Sequence, residues 1–287
     1  MLSRLGAAAD VDLYEPASAD DLKARLQGKQ GLVCVLLDKV TADVLAAAGE
    51  LKVVANIAVG YDNVDVPAAR RRGIVVTNTP DVLTEAVAEF TWALILAAAR
   101  RVGEGERLVR ARAWKGWALD FMLGTELRGK QLGIIGRGRI GRAVAAKAPA
   151  FGMTTAFAKH DMSLDELLIS SDVISIHTPL TPETRHLIDR RALARMKRTA
   201  ILVNTSRGPV VDEEGLAWAL KERLIAAAAL DVFEREPQVH DALLSLENVV
   251  LAPHLGSATR ETRTAMADLA VSNVVAVLSG QPPLTPV

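Results

Sequence analysis

The chain has 287 residues, half of them hydrophobic, enough for one large core or two medium ones. Lys+Arg and Asp+Glu both number 34, and the resulting formal charge of zero excludes the basic excess of a nucleic-acid or membrane-surface protein. The single cysteine, Cys34, excludes an intrachain disulfide or a cysteine metal cluster, and its apolar setting reads as core filling. The N-terminal run, broken by Asp10 and Asp12, lacks the form of a signal peptide, and the apolar stretch Phe90–Ala99 is too short to span a bilayer. The expectation is a soluble protein of a reducing compartment, the cytoplasm, with no membrane and no nucleic-acid partner.

In chain order, Leu2, Leu5 and Val11 predict the tail of a helix and a strand near Val11–Tyr14. Asp20 and Asp21 open a helix through Leu26. Apolar strands are expected over Leu32–Leu37, Lys52–Ile57 and Ile74–Val76, with helices over Thr41–Ala48 and Asp65–Arg72. The basic cluster Arg70-Arg71-Arg72 belongs on a solvated face. Strands alternating with helices predict a parallel sheet. A long helix follows over Thr84–Val102, apolar nearly all round, which predicts burial between layers or subunits. Arg107–Gly116 reads as a polar helix and turn.

Gln131–Gly141 then spells a short apolar run into Gly136, Gly138 and Gly141, a G-x-G-x-x-G, with helical spacing resuming at Ile140 and Val144. A strand, a glycine turn and a helix start are what a dinucleotide pyrophosphate requires. Gly136 makes the turn, Gly138 admits the phosphates, and Gly141 allows close packing of helix on strand. Arg137, Arg139 and Ile140 complete the turn. Further strands are expected over Met153–Ala158, Val173–His177, Ala200–Asn204, Ala226–Leu230 and Val249–Leu251. Helices are expected after the capping box Ser163–Glu166, over Thr184–Met196 and Glu213–Glu222, and finally over Ala258–Leu278.

Ligands of an open α/β sheet bind at the carboxyl ends of its strands. Four such ends carry conspicuous residues: Thr205-Ser206-Arg207-Gly208, Asp231 followed by Glu236-Pro237, Pro253-His254-Leu255-Gly256, and the Val59-Gly60 loop. Singly, Arg207 reads as a surface ion pair, Glu236 as a turn carboxylate and His254 as a loop histidine. Together, beside a dinucleotide turn, they suit reduction of a 2-keto acid. Arginine binds carboxylate and carbonyl, histidine protonates the alkoxide, and glutamate keeps the imidazole charged. His177, followed by Thr178 and Pro179, reads as a cofactor-side loop. His160, His186 and His240 have no metal-ligand spacing, and no metal site is expected.

The motifs Val59-Gly60-Tyr61-Asp62-Asn63, Asn78-Thr79-Pro80, the glycine turn, His177-Thr178-Pro179-Leu180-Thr181, Asn204-Thr205-Ser206-Arg207-Gly208, Leu230-Asp231-Val232-Phe233 and Pro253-His254-Leu255-Gly256-Ser257 resemble the D-isomer-specific 2-hydroxyacid dehydrogenases over nearly the whole chain. The resemblance implies catalytic roles for Arg207, Glu236 and His254, and a substrate carboxylate on the backbone of Val59 and Gly60. It implies two doubly wound parallel-sheet domains. A Rossmann-type cofactor domain, residues 82–260, is inserted in a flavodoxin-like substrate domain, residues 1–81 and 261–287. Its cofactor residues fall on Gly136–Gly141, Lys159, His160, His177, Thr178, Pro179, Thr205, Ser206, Asp231 and Gly256.

The wording is most similar to the glyoxylate/hydroxypyruvate/2-ketogluconate reductases. Val59 stands where phosphite dehydrogenases carry lysine, and Glu236 where formate dehydrogenases carry glutamine. A D-3-phosphoglycerate dehydrogenase-like enzyme and an NAD(H)-sensing corepressor-like binding protein stay open as alternatives, since those corepressors resemble the enzymes at Arg, Glu and His. Lys159 and His160 end the strand where NAD-selective folds place an acid, so NADP(H) is expected over NAD(H). The resemblance also implies a homodimer through the helix near Glu85–Ala99, with the Trp114–Phe121 arm reaching the neighbour.

Two departures stand out. The family begins with a strand before the first helix, whereas this chain starts inside that helix. Between His160 and Ser163 only Asp161 and Met162 remain, where the family places a helix and a strand. Either the chain is shortened here, or residues are closed up in this numbering. The second is preferred because the missing strands would be interior to their sheets.

Overall fold

The computed structural model describes residues 5–287 apart from Ala7 and Ala17, and the predicted contribution of Leu2 lies outside the described residues. The chain divides into two compact units, Met1–Leu83 with Thr259–Val287, and Thr84–Ala258. Among the described residues no helix is long and apolar enough to cross a membrane.

The first unit holds a three-stranded parallel sheet in the order β1 (Gly31–Cys34), β2 (Val53–Asn56), β3 (Val75–Thr77). Helices α1 (Ala19–Arg25), α2 (Ala42–Ala47) and α3 (Val66–Arg71) each start at a side-chain cap, from Ser18, Thr41 and Asp65. Such caps satisfy N–H groups that the first helical turn cannot. Their apolar faces bury Leu22, Val44, Leu45 and Ala69 with Cys34, Val54 and Val76. Cys34 is buried as expected, and burial pushes its thiol up. The triple arginine at 70–72 is exposed. The final helix, named α11 below, covers the other face through Ala270 and Val274 against Val53 and Ala55. The expected strand near Val11–Tyr14 does not form. Val11, Leu13 and Tyr14 are exposed and pair with no strand.

The second unit carries six parallel strands in the order β5-β4-β6-β7-β8-β9. These are β4 (Gln131–Ile135), β5 (Thr154–Phe157), β6 (Val173–Ile176), β7 (Ile201–Asn204), β8 (Ala227–Leu230) and β9 (Val249–Leu251). Strands β6 and β7 are buried along their length, the pattern of a sheet covered on both faces. One face packs α4 (Thr84–Ala99) and α6 (Arg139–Lys147) around Ile95, Leu132 and Val203. The other packs α7 (Leu164–Ser170), α8 (Arg190–Arg195), α9 (Glu213–Lys221) and α10 (Asp241–Leu244) around Leu167, Leu193 and Leu216. Ser163 and Glu166 form the predicted capping box at the start of α7. Helix α11 (Arg260–Leu278) returns the chain to the first unit.

Three expectations need correction. The long helix ends at Ala99, because Arg101 takes a left-handed conformation (φ 54°), and α5 (Val102–Arg110) starts there instead of at Arg107. The helix expected over Thr184–Met196 is only α8. Ile188 bridges Val211 in extended conformation, and the Asp189 side chain accepts the Ala192 N–H to begin the helix there. The short link after His160 opens no gap inside the sheet. β5 is an edge strand, and residues 158–172, with α7 among them, make the crossover to β6 past β4. A parallel crossover needs about a dozen residues, which that segment supplies.

Gly133 sits in β4 beneath α7. A Cβ there would lie 2.2 Å from Ser171 Oγ and 2.8 Å from Leu167 Cδ2. Gly133→Ala is expected to cost about 1–3 kcal/mol by overpacking. Chemical denaturation checks this, and an unchanged midpoint would contradict it.

Candidate active site and cofactor cradle

Register places the site. Asn204 pairs with Leu230 and Leu230 with Leu251, so the loops leaving β7, β8 and β9 begin side by side at one edge of the sheet. After β7, the buried Asn204 folds its own loop. Its Oδ1 accepts from Ser206 N and Oγ, and its Nδ2 donates to Arg207 O. Thr205 Oγ1 lies 3.0 Å from Thr91 Oγ1 of α4. Arg207 is half-buried, and its Nη1 donates to the carbonyl of Ser206 at 2.8 Å.

After β8, Asp231 is buried. Burial raises its carboxyl, and the N–H groups of Leu255 and Gly256 donate to it at 2.6 and 2.8 Å. This carboxylate thereby fixes the chain beyond His254, itself in a left-handed conformation with φ 55°. His254 Nδ1 lies 2.8 Å from Glu236 Oε2, and Glu236 Oε1 accepts from Phe233 N at 3.0 Å. Burial alone would raise the Glu236 carboxyl. The hydrogen bond and charge of His254, the Phe233 N–H and the charge of Arg207 reverse this and hold it below the ordinary carboxylate range. The three predicted residues are therefore electrostatically coupled: Glu236 bonds His254 directly and feels the field of Arg207.

The glycine turn fits a dinucleotide. Gly136 has φ 105°, and a Cβ on it would meet His177 O at 2.3 Å. A Cβ on Gly141 would meet Gly136 O at 2.0 Å, whereas one on Gly138 would meet nothing within 4 Å. Gly136 and Gly141 thus serve close packing, and Gly138 leaves open space before α6. Gly138 is the N-cap of α6 and offers no side chain to the first-turn N–H groups, which leaves them for an anion. Arg137, Gly138 and Arg139 are exposed and Ile140 is half-buried.

Lys159 and His160 lie exposed at the end of β5. The Arg137 guanidinium joins them, 3.5 Å from His160 Nδ1 and 5.6 Å from the Phe157 ring centre. The Asp161 carboxylate is turned to Phe157 N at 2.8 Å. The His177 ring turns to Ser175 Oγ at 2.8 Å, and burial lowers its pKa to about 3, so it stays neutral. Thr178 is half-buried and Pro179 exposed.

In the first unit, Asn78 Nδ2 donates to Val59 O and Asn56 Nδ2 to Gly60 O. Asn63 braces Asn56 and bonds the carbonyls of Val35 and Asp38. The Val59-Gly60 loop is thus held by its carbonyls. Asn78 and Asn204 lie within the motifs, whose pattern assigns them no role, and Asn56 lies outside every motif. The available signal was an asparagine ending an otherwise apolar strand, as Asn56 and Asn204 do.

An anion cradle at the first turn of a parallel sheet, with a carboxylate-paired histidine and an arginine on loops of the same sheet, defines a nicotinamide-dependent oxidoreductase. Comparison with known proteins gives the family. Residues 92–256 match the model described as D-isomer specific 2-hydroxyacid dehydrogenase, NAD binding domain. A glyoxylate reductase from Aeropyrum pernix is 51% identical over 290 residues, covering 95% of this chain and 87% of its own. One from Thermofilum pendens is 47% identical, covering 98% of this chain and 89% of its own. Among solved structures, an NADPH-dependent glyoxylate/hydroxypyruvate reductase from Sinorhizobium meliloti, in complex with NADP and malonate, superposes with a TM-score of 0.91 at 38% identity, covering 100% of this chain and 92% of its own. The chain belongs to the D-isomer-specific 2-hydroxyacid dehydrogenases.

Proposed function

We propose that the chain reduces a small 2-keto acid, glyoxylate or hydroxypyruvate, to the D-2-hydroxy acid with NADPH as donor. The observation that carries this is the Glu236–His254 hydrogen bond of 2.8 Å within the field of Arg207. When bound, the nicotinamide supplies hydride. Arg207 orients the substrate through its carboxylate and carbonyl oxygens and stabilises charge developing on the carbonyl oxygen. His254 delivers a proton from its ring to that oxygen, while the ionised Glu236 on Nδ1 favours the charged ring beforehand. Val59 and Gly60 provide backbone N–H donors for the substrate carboxylate. The unit Thr84–Ala258 acts as the cofactor domain, and the other as the substrate domain.

Glu236, held below the ordinary carboxylate range, is ionised through neutral pH, and its charge is lost only as pH falls through that depressed value. The alkaline limb of reduction instead reports loss of the catalytic proton. Glu236→Gln is expected to move that limb to lower pH. His254→Ala should lose roughly 10²–10⁴-fold in turnover with NADPH affinity kept, and Arg207→Ala should raise the keto-acid KM as well as lower kcat. Rate against pH for wild type and Glu236→Gln decides the pairing, and an unmoved limb would remove it.

NADPH preference is supported by Arg137 of the glycine turn with Lys159 and His160 just beyond β5, the Asp161 carboxylate being committed to backbone. A ribose 2′-phosphate suits that set. The expected result is a lower KM for NADPH than for NADH, and roughly tenfold weaker NADPH binding in Arg137→Ala, a difference of about 1.4 kcal/mol. A lower KM for NADH would reverse the assignment.

A homodimer is supported by α4 and the arm after it. Within its own unit α4 leaves Ala93 exposed and Phe90 half-covered, and Trp114, Trp117, Leu119 and Phe121 are exposed. Apolar surface gathered in this way favours association. Light scattering at micromolar concentration is expected to give twice the chain mass, and a monomer would exclude the assembly.

A further inference from the structure

Glu236 rides on a loop whose start is tied to one buried side chain. Glu213, the first residue of α9, is only 6% exposed. Its Oε1 accepts the N–H of Glu234 at 2.6 Å. In return, Glu213 N donates to Glu234 Oε1 at 2.9 Å. Glu234 lies two residues before Glu236, and around Glu236 the chain turns, with Gln238 N closing on Arg235 O at 2.8 Å. Behind the loop, Gly208 leaves no room for a side chain, since a Cβ there would lie 1.9 Å from Phe233 C.

A carboxylate in so dry a place carries a desolvation cost, which burial and the neighbouring Glu234 charge express by raising the Glu213 carboxyl. The ionisable groups around it are Glu234, His240 and, 3.2 Å from Glu234, His186. Asp212 already caps α9 through Gly215 N, so the helix does not depend on Glu213 for its cap. The buried carboxylate is left with one structural task, which is to hold the loop.

We propose that Glu213 is a positioning residue for catalysis: by exchanging two hydrogen bonds with Glu234, it sets the loop that places Glu236 on His254. The inference rests on the Glu236–His254 pair described above. Glu213 touches neither substrate nor cofactor. Its effect reaches the reaction through the hydrogen bond at Nδ1, and so it must register in the pH profile and in kcat before it registers in cofactor binding.

The test compares Glu213→Met, which keeps length and loses every acceptor, with Glu213→Gln, whose amide oxygen still accepts the Glu234 N–H. Glu236→Gln serves as reference, and keto-acid reduction is followed against pH. Glu213→Met is expected to lose roughly 10- to 100-fold in kcat, as misplaced catalytic groups do. Its alkaline limb should move to lower pH in the direction of Glu236→Gln, with the NADPH KM within about twofold of wild type. Glu213→Gln should restore the position of the limb. A folded Glu213→Met with an unmoved limb, or a Glu213→Gln limb displaced as far as that of Glu213→Met, overturns the proposal. If Glu213→Met does not fold, Glu213→Asp takes its place: one methylene shorter, it falls short of the Glu234 N–H, and an unmoved limb again overturns the proposal. Failure of Glu236→Gln itself to shift the limb would discard the acid–base pair, whereas a shift there without one at Glu213 would discard this inference alone.

Discussion

Leu230 pairs with Asn204 on one side and Leu251 on the other, and the site depends on that register. Because all three strands run parallel, their carboxyl ends emerge together, and Arg207, Glu236 and His254, spread over 48 positions of sequence, share one edge. Sliding one strand by a single residue would turn its buried side chains to the opposite face. The apolar side chains that forbid the slip, Val203, Ala228 and Ala229 among them, are fully buried. Packing of the sheet and placement of the chemistry are therefore one constraint.

What the register leaves undetermined is settled by buried polar side chains. Asn204, Asp231 and Glu213 each spend their hydrogen-bonding capacity on backbone N–H or C=O groups of the loops beyond the strands. Leaving one such group unpaired in the interior costs about 1–3 kcal/mol, so the loops have one satisfied arrangement and few alternatives close to it. Asn56 and Asn78 do the same for the Val59-Gly60 loop in the first unit. These groups add little net stability, since water would satisfy them equally in the unfolded chain. Their contribution is geometric: they turn a flexible connection into a fixed one next to the reacting groups.

The strands and the glycine turn were legible because their signals are local. Short apolar runs bounded by turn residues mark β4 and β6–β9, and Gly136, Gly138 and Gly141 have the spacing that pyrophosphate imposes. Arg207, Glu236 and His254 stand out in the sequence because the loops that carry them leave strand ends, and the fold brings those loops together. Where the decision was tertiary, the sequence misled. Val11–Tyr14 is apolar enough for a strand but has no partner. Thr184–Ile188 has helical spacing, yet Ile188 is drawn into a bridge with Val211. Glu213 marks only the start of a helix in the sequence, because neither its burial nor its bond to Glu234 can be read before the fold is known.

The brief link after His160 shows the same division between edge and centre. Strand β5 has a neighbour on one side only, so the chain can turn back after it without unpairing any interior strand. The turn is tight: Lys159 has φ 64° and donates its N–H to Met162 O at 2.8 Å. The candidate site, built on β7 to β9, lies in the opposite half of the sheet. The consequence of the turn falls on the cofactor end, where Arg137, Lys159 and His160 gather within a few residues of the glycine turn and of the end of β5. A tight turn there shapes the surroundings of the glycine turn, while Arg207, Glu236 and His254 stay where the register of β7, β8 and β9 puts them.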